Sequence, residues 1–157
     1  MTVVKLRPIV KTIDLGRSTR DAFRLFTEEI SAWWPLQTHT LAVAAKGQKS
    51  VRVTIEPRVG GRVYETLQDG SQLEWGEVLA YNPGRLFSME WLLGRPSSEA
   101  TEVTVRFEKR ADAGCRVTLT HENWENIGGE GERLRNSYDN GWIAVFEKGF
   151  GEFAGRA

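Results

Sequence analysis

The chain has 157 residues, of which 40% are hydrophobic and 27% charged, a balance typical of a globular domain rather than a disordered chain. Its 21 lysines and arginines are matched by 21 aspartates and glutamates. The formal net charge is therefore zero, which argues against a nucleic-acid partner.

The N-terminal residues and the single cysteine indicate the expected compartment. Cys115 has no partner for an internal disulfide, and the first residues lack the apolar stretch of a signal peptide. No apolar run approaches the ~20 residues that span a bilayer. We therefore expect no membrane span, a cytoplasmic location and one domain over residues 1–157.

The first segments predict a strand and then a short helix. Ile9–Leu15 has the pattern of an edge strand. The Ser18 hydroxyl can accept an early backbone amide, as in a capping box. The apolar residues that follow fall on one helix face: Ala22, Phe23, Phe26 and Ile30. Because Pro35 disfavours helical geometry in the preceding residue, the helix should stop by Trp33-Trp34, and residues 37–49 predict a mobile loop.

From residue 50 the apolar period becomes two, which predicts a run of antiparallel strands with one buried face each. In the first strand this face would carry Val51, Val53 and Ile55. Asp69-Gly70 is a strong hairpin signal, whereas the alternation leaves the face of Trp75 open. The predicted strands cover residues 51–56, 62–67, 73–81, 86–91, 103–107 and 117–121.

The last segment, from about Glu130, predicts a long amphipathic helix. Its apolar stripe consists of Trp142, Val145, Phe146, Gly149 and Phe153. A sheet curved around this helix is the simplest way to bury every apolar face, so we predict an α+β fold of that kind. One end of such an arrangement is a usual place for a ligand.

Aromatic and inward-facing polar residues are the candidate site. The chain has six tryptophans, whose rings can line a pocket as well as fill a core. Core packing is the favoured interpretation of Trp33-Trp34, with pocket lining as the alternative. The predicted ligand-binding residues are Trp33, Trp34, Glu65, Met89, Trp91, His121, Tyr138, Trp142 and Phe146.

Glu65 and His121 are the candidate acid–base groups. Glu65 shares strand parity with Val63 and Leu67, so its carboxylate should point inward and need a partner or a raised pKa. The alternative is a bulge or edge position that lets Glu65 reach water. His121 also points inward, where a lone histidine is more often a hydrogen-bonded structural residue than a catalyst.

Other chemistry has little support in the sequence. There is no nucleophile elbow, P-loop or dinucleotide fingerprint. With His39, His121 and Cys115 as the histidines and cysteine of the chain, no cluster has metal-ligand spacing. We therefore expect no metal and no cofactor.

An ordered set of motifs carries a family resemblance. These are EPRVGGRVYE (56–65), WGEVLAYNPGRLFSMEW (75–91), TEVTVRFEKRADAGCRVTLTHENW (101–124) and SYDNGWIAVFEKGFGEF (137–153). They resemble the activator of heat shock protein 90 ATPase homologue-like family, within the START-like, polyketide cyclase-related (SRPBCC) superfamily. The resemblance implies a helix-grip fold with a cavity between the sheet and the C-terminal helix. Members of the superfamily bind lipids, hormones or polyketides, act as cyclases or hydrolases, or stimulate a chaperone.

Three functions follow as hypotheses. The first is binding of a small apolar or aromatic molecule, lipid-, hormone- or polyketide-like, in that cavity. The second is a cyclase or hydrolase that uses Glu65 and His121 for acid–base chemistry. The third is a chaperone-interacting regulatory module. A homodimer is compatible with all three.

Overall fold

A seven-stranded antiparallel sheet dominates the computed structural model, which describes residues 5–156 except the side chains of Ala45 and Arg156. Residues 1–4 and 157 of the predicted domain lie outside this description. The strand order is β1-β7-β6-β5-β4-β3-β2, so the first two strands form the two edges. The strands are β1 Ile9–Leu15, β2 Ser50–Ile55, β3 Arg62–Leu67, β4 Gln72–Asn82, β5 Leu86–Trp91, β6 Thr101–Lys109 and β7 Cys115–Glu122.

One face of the curled sheet packs against helices. Helices α1 (Thr19–Thr27) and α2 (Ile30–Trp33) follow β1. The C-terminal helix, 131–156, has α-helical ends and a π-helical middle, Ile143–Phe150. The shorter helices are a π-helical turn at Ala42–Lys46 and 3₁₀ helices at Ser97–Glu99 and Trp124–Glu130. The predicted helix-grip architecture is therefore confirmed. No helix in the described part of the chain is long and apolar enough to cross a membrane.

The start and end of the first helical segment follow the predicted signals. The backbone N–H of Asp21 donates to the Ser18 hydroxyl at 3.1 Å, which caps α1. Trp34 has extended geometry, with ψ of 133°, immediately before Pro35. The apolar face between these points is buried against the core, as expected.

Strand parity is confirmed for most of the sheet, and β-bulges account for the exceptions at Val51 and Trp75. A register shift between Ser50 and Arg52 turns Val51 outward, where it is 46% exposed, so its predicted burial was wrong. A second shift in the β3–β4 pairing leaves Trp75 without an opposite residue and turns it into the core. Beside it, a Cβ on Gly76 would lie only 1.7 Å from the Glu90 carbonyl oxygen, so this position requires glycine.

Two helical segments also differ from the predicted pattern. The predicted loop at 37–49 contains the π-helical turn Ala42–Lys46. The first backbone N–H of this turn, that of Ala42, donates to the side chain of Glu65. In the C-terminal helix the wider π-helical turns move the buried stripe after Phe146. Phe150 and Ala154 are fully covered in place of Gly149 and Phe153, which are half-buried.

Phe146 anchors the C-terminal helix in the core. Its ring is fully buried, with centroids 6.5 Å from Phe26 and 6.0 Å from Phe150. Truncation to alanine would leave a cavity that the surrounding rings cannot fill. We expect Phe146→Ala to lower the free energy of unfolding by about 3–5 kcal/mol. Chemical denaturation measures this loss, and Val59→Ala, at an exposed position, is the control. A near-neutral Phe146→Ala would contradict the assigned core position.

Candidate ligand-binding cavity

A cavity of about 460 Å³ opens where the loop after α2 meets the C-terminal helix. The 38–44 segment forms one wall and residues 91–95, at the end of β5, form a second. The third wall combines the 3₁₀ helix Trp124–Glu130 with the C-terminal helix. The lining residues are Trp34, Thr38, His39, Thr40, Leu41, Ala44, Trp91, Leu92, Leu93, Arg95, Thr101, Trp124, Ile127, Leu134, Ser137, Tyr138, Gly141, Trp142 and Val145.

Aromatic rings from separate elements meet around this space. Trp34 and Trp142 lie 6.0 Å apart between ring centroids, nearly perpendicular, and Trp91 lies 5.3 Å from Trp142. Tyr138 packs 5.4 Å from Trp124. The walls therefore offer flat apolar faces and ring edges, which suit an aromatic guest.

The indole N–H groups of all six tryptophans are bonded within the protein. At the cavity, Trp34 donates to the His39 carbonyl oxygen at 2.7 Å and Trp91 donates to the Tyr138 hydroxyl at 3.0 Å. Trp142 and Trp124 both donate to His121, to Nδ1 and to the carbonyl oxygen respectively. The tryptophans thus present only carbon surface to a ligand.

His121 lies behind the cavity wall and is fully buried, with its ring tilted against that of Trp124 at 4.1 Å between centroids. Because Trp142 donates to Nδ1 at 3.0 Å, the proton of the neutral ring must sit on Nε2. Nε2 then donates to Thr101 Oγ1 at 2.7 Å, and Thr101 in turn donates to the Trp91 carbonyl oxygen. Burial lowers the pKa of His121 from 6.5 to about 3, so the imidazole is neutral. His121 therefore joins β5, β6, β7 and the C-terminal helix.

Glu65 lies on the other side of the aromatic cluster and is also fully buried. One carboxylate oxygen accepts from the Leu41 N–H and from Trp75 Nε1, both at 2.7 Å. The other accepts from the Ala42 N–H at 2.9 Å and from the Ser50 hydroxyl. The carboxylate thereby holds the start of the π-helical turn against β2 and β4. The alternative in which Glu65 reaches water is excluded.

The predicted site residues divide into two groups. Trp34, Trp91, Tyr138 and Trp142 line the cavity. The others pack behind it or elsewhere in the core: Trp33, Glu65, Met89, His121 and Phe146. Glu65 and His121 are both inward, as the alternation indicates, but their polar atoms are occupied by protein groups rather than turned to the cavity.

Several lining residues had no signal in the sequence pattern. The loop residues around Leu41 and Leu93 become walls only through tertiary contact. Leu93 adopts a left-handed φ of 43°, a strained conformation for a side-chain-bearing residue. Gly141 was detectable, since a glycine in mid-helix is unfavourable without a packing or functional reason.

Metal and thiol chemistry have no structural support in the part of the chain that is described. Across residues 5–156, no group of three His, Cys, Asp or Glu side chains could hold a metal ion. Cys115 is buried, and desolvation raises the pKa of its thiol. It therefore behaves as a packed apolar side chain.

Family membership follows from comparison with known proteins. Residues 18–154 match the model of the family described as activator of Hsp90 ATPase homolog 1-like protein. The chain belongs to this family. A comparison with curated proteins finds no match.

The chain is also similar to proteins of known structure. Protein MLL2253 from Mesorhizobium loti is 18% identical, with a TM-score of 0.67 over 96% of this chain and 99% of that one. The Aha1 dimer from Colwellia psychrerythraea is 15% identical, with a TM-score of 0.59 and coverage of 92% and 96%. Txn09, an anthrahydroquino-gamma-pyrone synthase solved as a complex, is 27% identical, with a TM-score of 0.57 and coverage of 86% and 88%.

The buried His121 should make stability depend on pH. The unfolded chain binds a proton near pH 6.5, whereas the folded chain binds it only near pH 3. The free energy of unfolding therefore decreases as the pH falls between these two pKa values. We expect a loss of about 2 kcal/mol from His121 between about pH 7.5 and about pH 5. Denaturation at several pH values should show this slope in the wild type and in His39→Asn but not in His121→Asn. An unchanged slope in His121→Asn would contradict the assignment.

Glu65→Gln tests the carboxylate clamp. The glutamine NH₂ can donate to the Ser50 hydroxyl, but the Ala42 N–H would then lose its acceptor. We expect a loss of about 1–3 kcal/mol in unfolding free energy and faster hydrogen exchange at the Ala42 amide. Glu77→Gln, the same change at an exposed position of β4, should stay within about 0.5 kcal/mol. Equal stabilities of the two variants would rule out the clamp.

Proposed function

We propose that this protein binds a small, largely apolar and aromatic molecule in the cavity beside the C-terminal helix. The observation that carries the proposal is the aromatic lining, in which Trp34, Trp91, Trp124 and Trp142 have no free N–H. Such walls favour a guest that forms ring contacts and buries apolar surface.

The size of the cavity agrees with this class of ligand. A volume of about 460 Å³ lies within the range of roughly 300–1,000 Å³ that small-molecule pockets occupy. Charged groups are few, since Arg95 is the only Lys, Arg, Asp or Glu among the lining residues. Its guanidinium is already paired with Glu99 at 2.8 Å. A strongly charged ligand would therefore find few groups in the cavity that compensate for its lost hydration.

Gly141 supports the proposal independently. It lies in the middle of the C-terminal helix, where glycine costs roughly 0.5–1 kcal/mol relative to alanine. A Cβ at this position would meet no atom within 4 Å, so packing does not require glycine here. Because Gly141 lines the cavity, the missing side chain keeps space open for a guest.

Filling that space tests the proposal. 1-Aminoanthracene, a neutral probe whose emission rises in apolar surroundings, should bind the wild-type protein and be displaced by aromatic ligands. Gly141→Leu should weaken probe binding by about tenfold or more, since forcing extra atoms into an occupied space costs roughly 1–3 kcal/mol. Fluorescence titration gives both affinities.

Asn140→Leu is the matched control, because this neighbour on the same helix is exposed and does not line the cavity. Its probe affinity should equal that of the wild type. If Gly141→Leu and Asn140→Leu bind the probe equally, the probe does not occupy this cavity. If neither the probe nor a broad panel of aromatics and lipids binds the wild type, the function is not ligand binding.

A synthase-like enzyme is the second candidate, supported by the 27% identity to Txn09 over most of both chains. Under this hypothesis Glu65 and His121 are the predicted acid–base pair, although their polar atoms are engaged by protein donors and acceptors. The test is turnover of a polyketide-like substrate by two variants. If turnover disappears in Tyr138→Phe, a change in the cavity lining, but persists in His121→Asn, the cavity is used for catalysis without the Glu65–His121 pair.

A chaperone partner and a homodimer are the remaining alternatives. The Colwellia Aha1 dimer is 15% identical to this chain, and a likeness at this level of identity shows a common fold alone. Light scattering of the purified protein measures its assembly state, and co-sedimentation with purified Hsp90 measures the chaperone contact.

A further inference from the structure

The hydroxyl of Tyr138 has a proton that no group in the described part of the chain accepts. An indole N–H is only a donor, so the 3.0 Å contact with Trp91 uses the tyrosine oxygen as an acceptor. The hydroxyl proton must then point away from Trp91. Among the described residues 5–156, no group accepts a hydrogen bond from it. Since Tyr138 lines the cavity, this proton is available to a bound molecule.

The ring that carries this hydroxyl is packed against other rings on several sides. The Tyr138 ring lies 5.3 Å from His121, 5.4 Å from Trp124 and 6.0 Å from Trp91, between centroids. Burial raises the pKa of Tyr138, against smaller opposing effects of the Trp91 hydrogen bond and the Arg95 charge. The group therefore stays protonated and acts as a fixed donor near neutral pH.

The charge around Tyr138 restricts what it can bind. Arg95 is the nearest lining cation, and its pairing with Glu99 leaves the local charge close to balanced. A carboxylate buried against Tyr138 would exchange its hydration for a hydrogen bond from one neutral donor, and this loss of hydration costs free energy. An uncharged acceptor oxygen loses far less and gains the same hydrogen bond.

We infer that Tyr138 orients the ligand by donating its hydroxyl proton to an uncharged carbonyl oxygen on an aromatic ring system. This inference rests on the proposed ligand-binding function. It assigns Tyr138 as a specificity-determining residue and an aromatic ketone or quinone as the ligand class. The remaining ring surface packs against the tryptophan walls.

An isosteric pair of probes tests the hydrogen bond. 2-Acetylnaphthalene and 2-isopropenylnaphthalene have similar shape, but only the first has a carbonyl oxygen. Displacement of 1-aminoanthracene from the wild type should show the ketone binding about tenfold tighter, as expected for one buried hydrogen bond. 2-Naphthoate should bind more weakly than the ketone, because its charge would be buried.

Tyr138→Phe should lose the preference for the ketone over the alkene. Thr40→Val tests the competing donor, since Thr40 also lines the cavity and its hydroxyl, which accepts from the Val43 N–H at 3.3 Å, has a proton of its own to donate. This variant should keep the tenfold preference for the ketone. Loss of the preference in Thr40→Val alone would overturn the assignment of Tyr138.

A wild-type measurement keeps the test independent of whether Tyr138→Phe folds. Infrared spectra of bound 2-acetylnaphthalene should show the carbonyl stretch at lower wavenumber than in hexane. An unshifted stretch, equal binding of the two probes by the wild type, or tighter binding of 2-naphthoate would each overturn the inference while the proposed function stands. If neither naphthalene binds and 1-aminoanthracene also fails, the proposed function falls and this inference with it.

Discussion

The buried carboxylate of Glu65 is the interaction on which the geometry around the cavity depends. A carboxylate removed from water is stable only when its oxygens accept strong hydrogen bonds. Here the donors come from Leu41 and Ala42 in the loop, Ser50 in β2 and Trp75 in β4. Satisfying one charge therefore fixes three segments that are distant in sequence, including the loop that forms one cavity wall.

His121 has the corresponding role on the opposite side, as a neutral group. Its two ring nitrogens and its carbonyl oxygen engage Trp142, Thr101 and Trp124. A protonated ring would lose the acceptor that Trp142 needs, so burial and hydrogen bonding both favour the neutral form. The polar groups in the core thus position the aromatic walls from behind, and the cavity keeps a largely apolar lining.

Different parts of these side chains make the internal hydrogen bonds and line the cavity. Trp91 shows both sides of this division: its indole N–H is occupied by Tyr138, while its ring face lines the cavity. Tyr138 differs, because it accepts one hydrogen bond from the protein and retains a donor. Gly141 contributes by having no side chain. Under the proposed function, such a site selects ligands by ring shape and by one directional contact, with little use of charge.

Local sequence patterns by themselves determined the strands, the amphipathic C-terminal helix and the cap at Ser18. They also determined the inward direction of Glu65 and His121, because all of these depend on spacing along one element. Only the tertiary structure decided which residues line the cavity. The inward turn of Trp75 depends on a bulge in strand pairing, and the donors to Glu65 come from segments up to 24 residues away. Register and long-range hydrogen bonding leave no periodic trace, so the wall at Leu41 could not be predicted from its own neighbours.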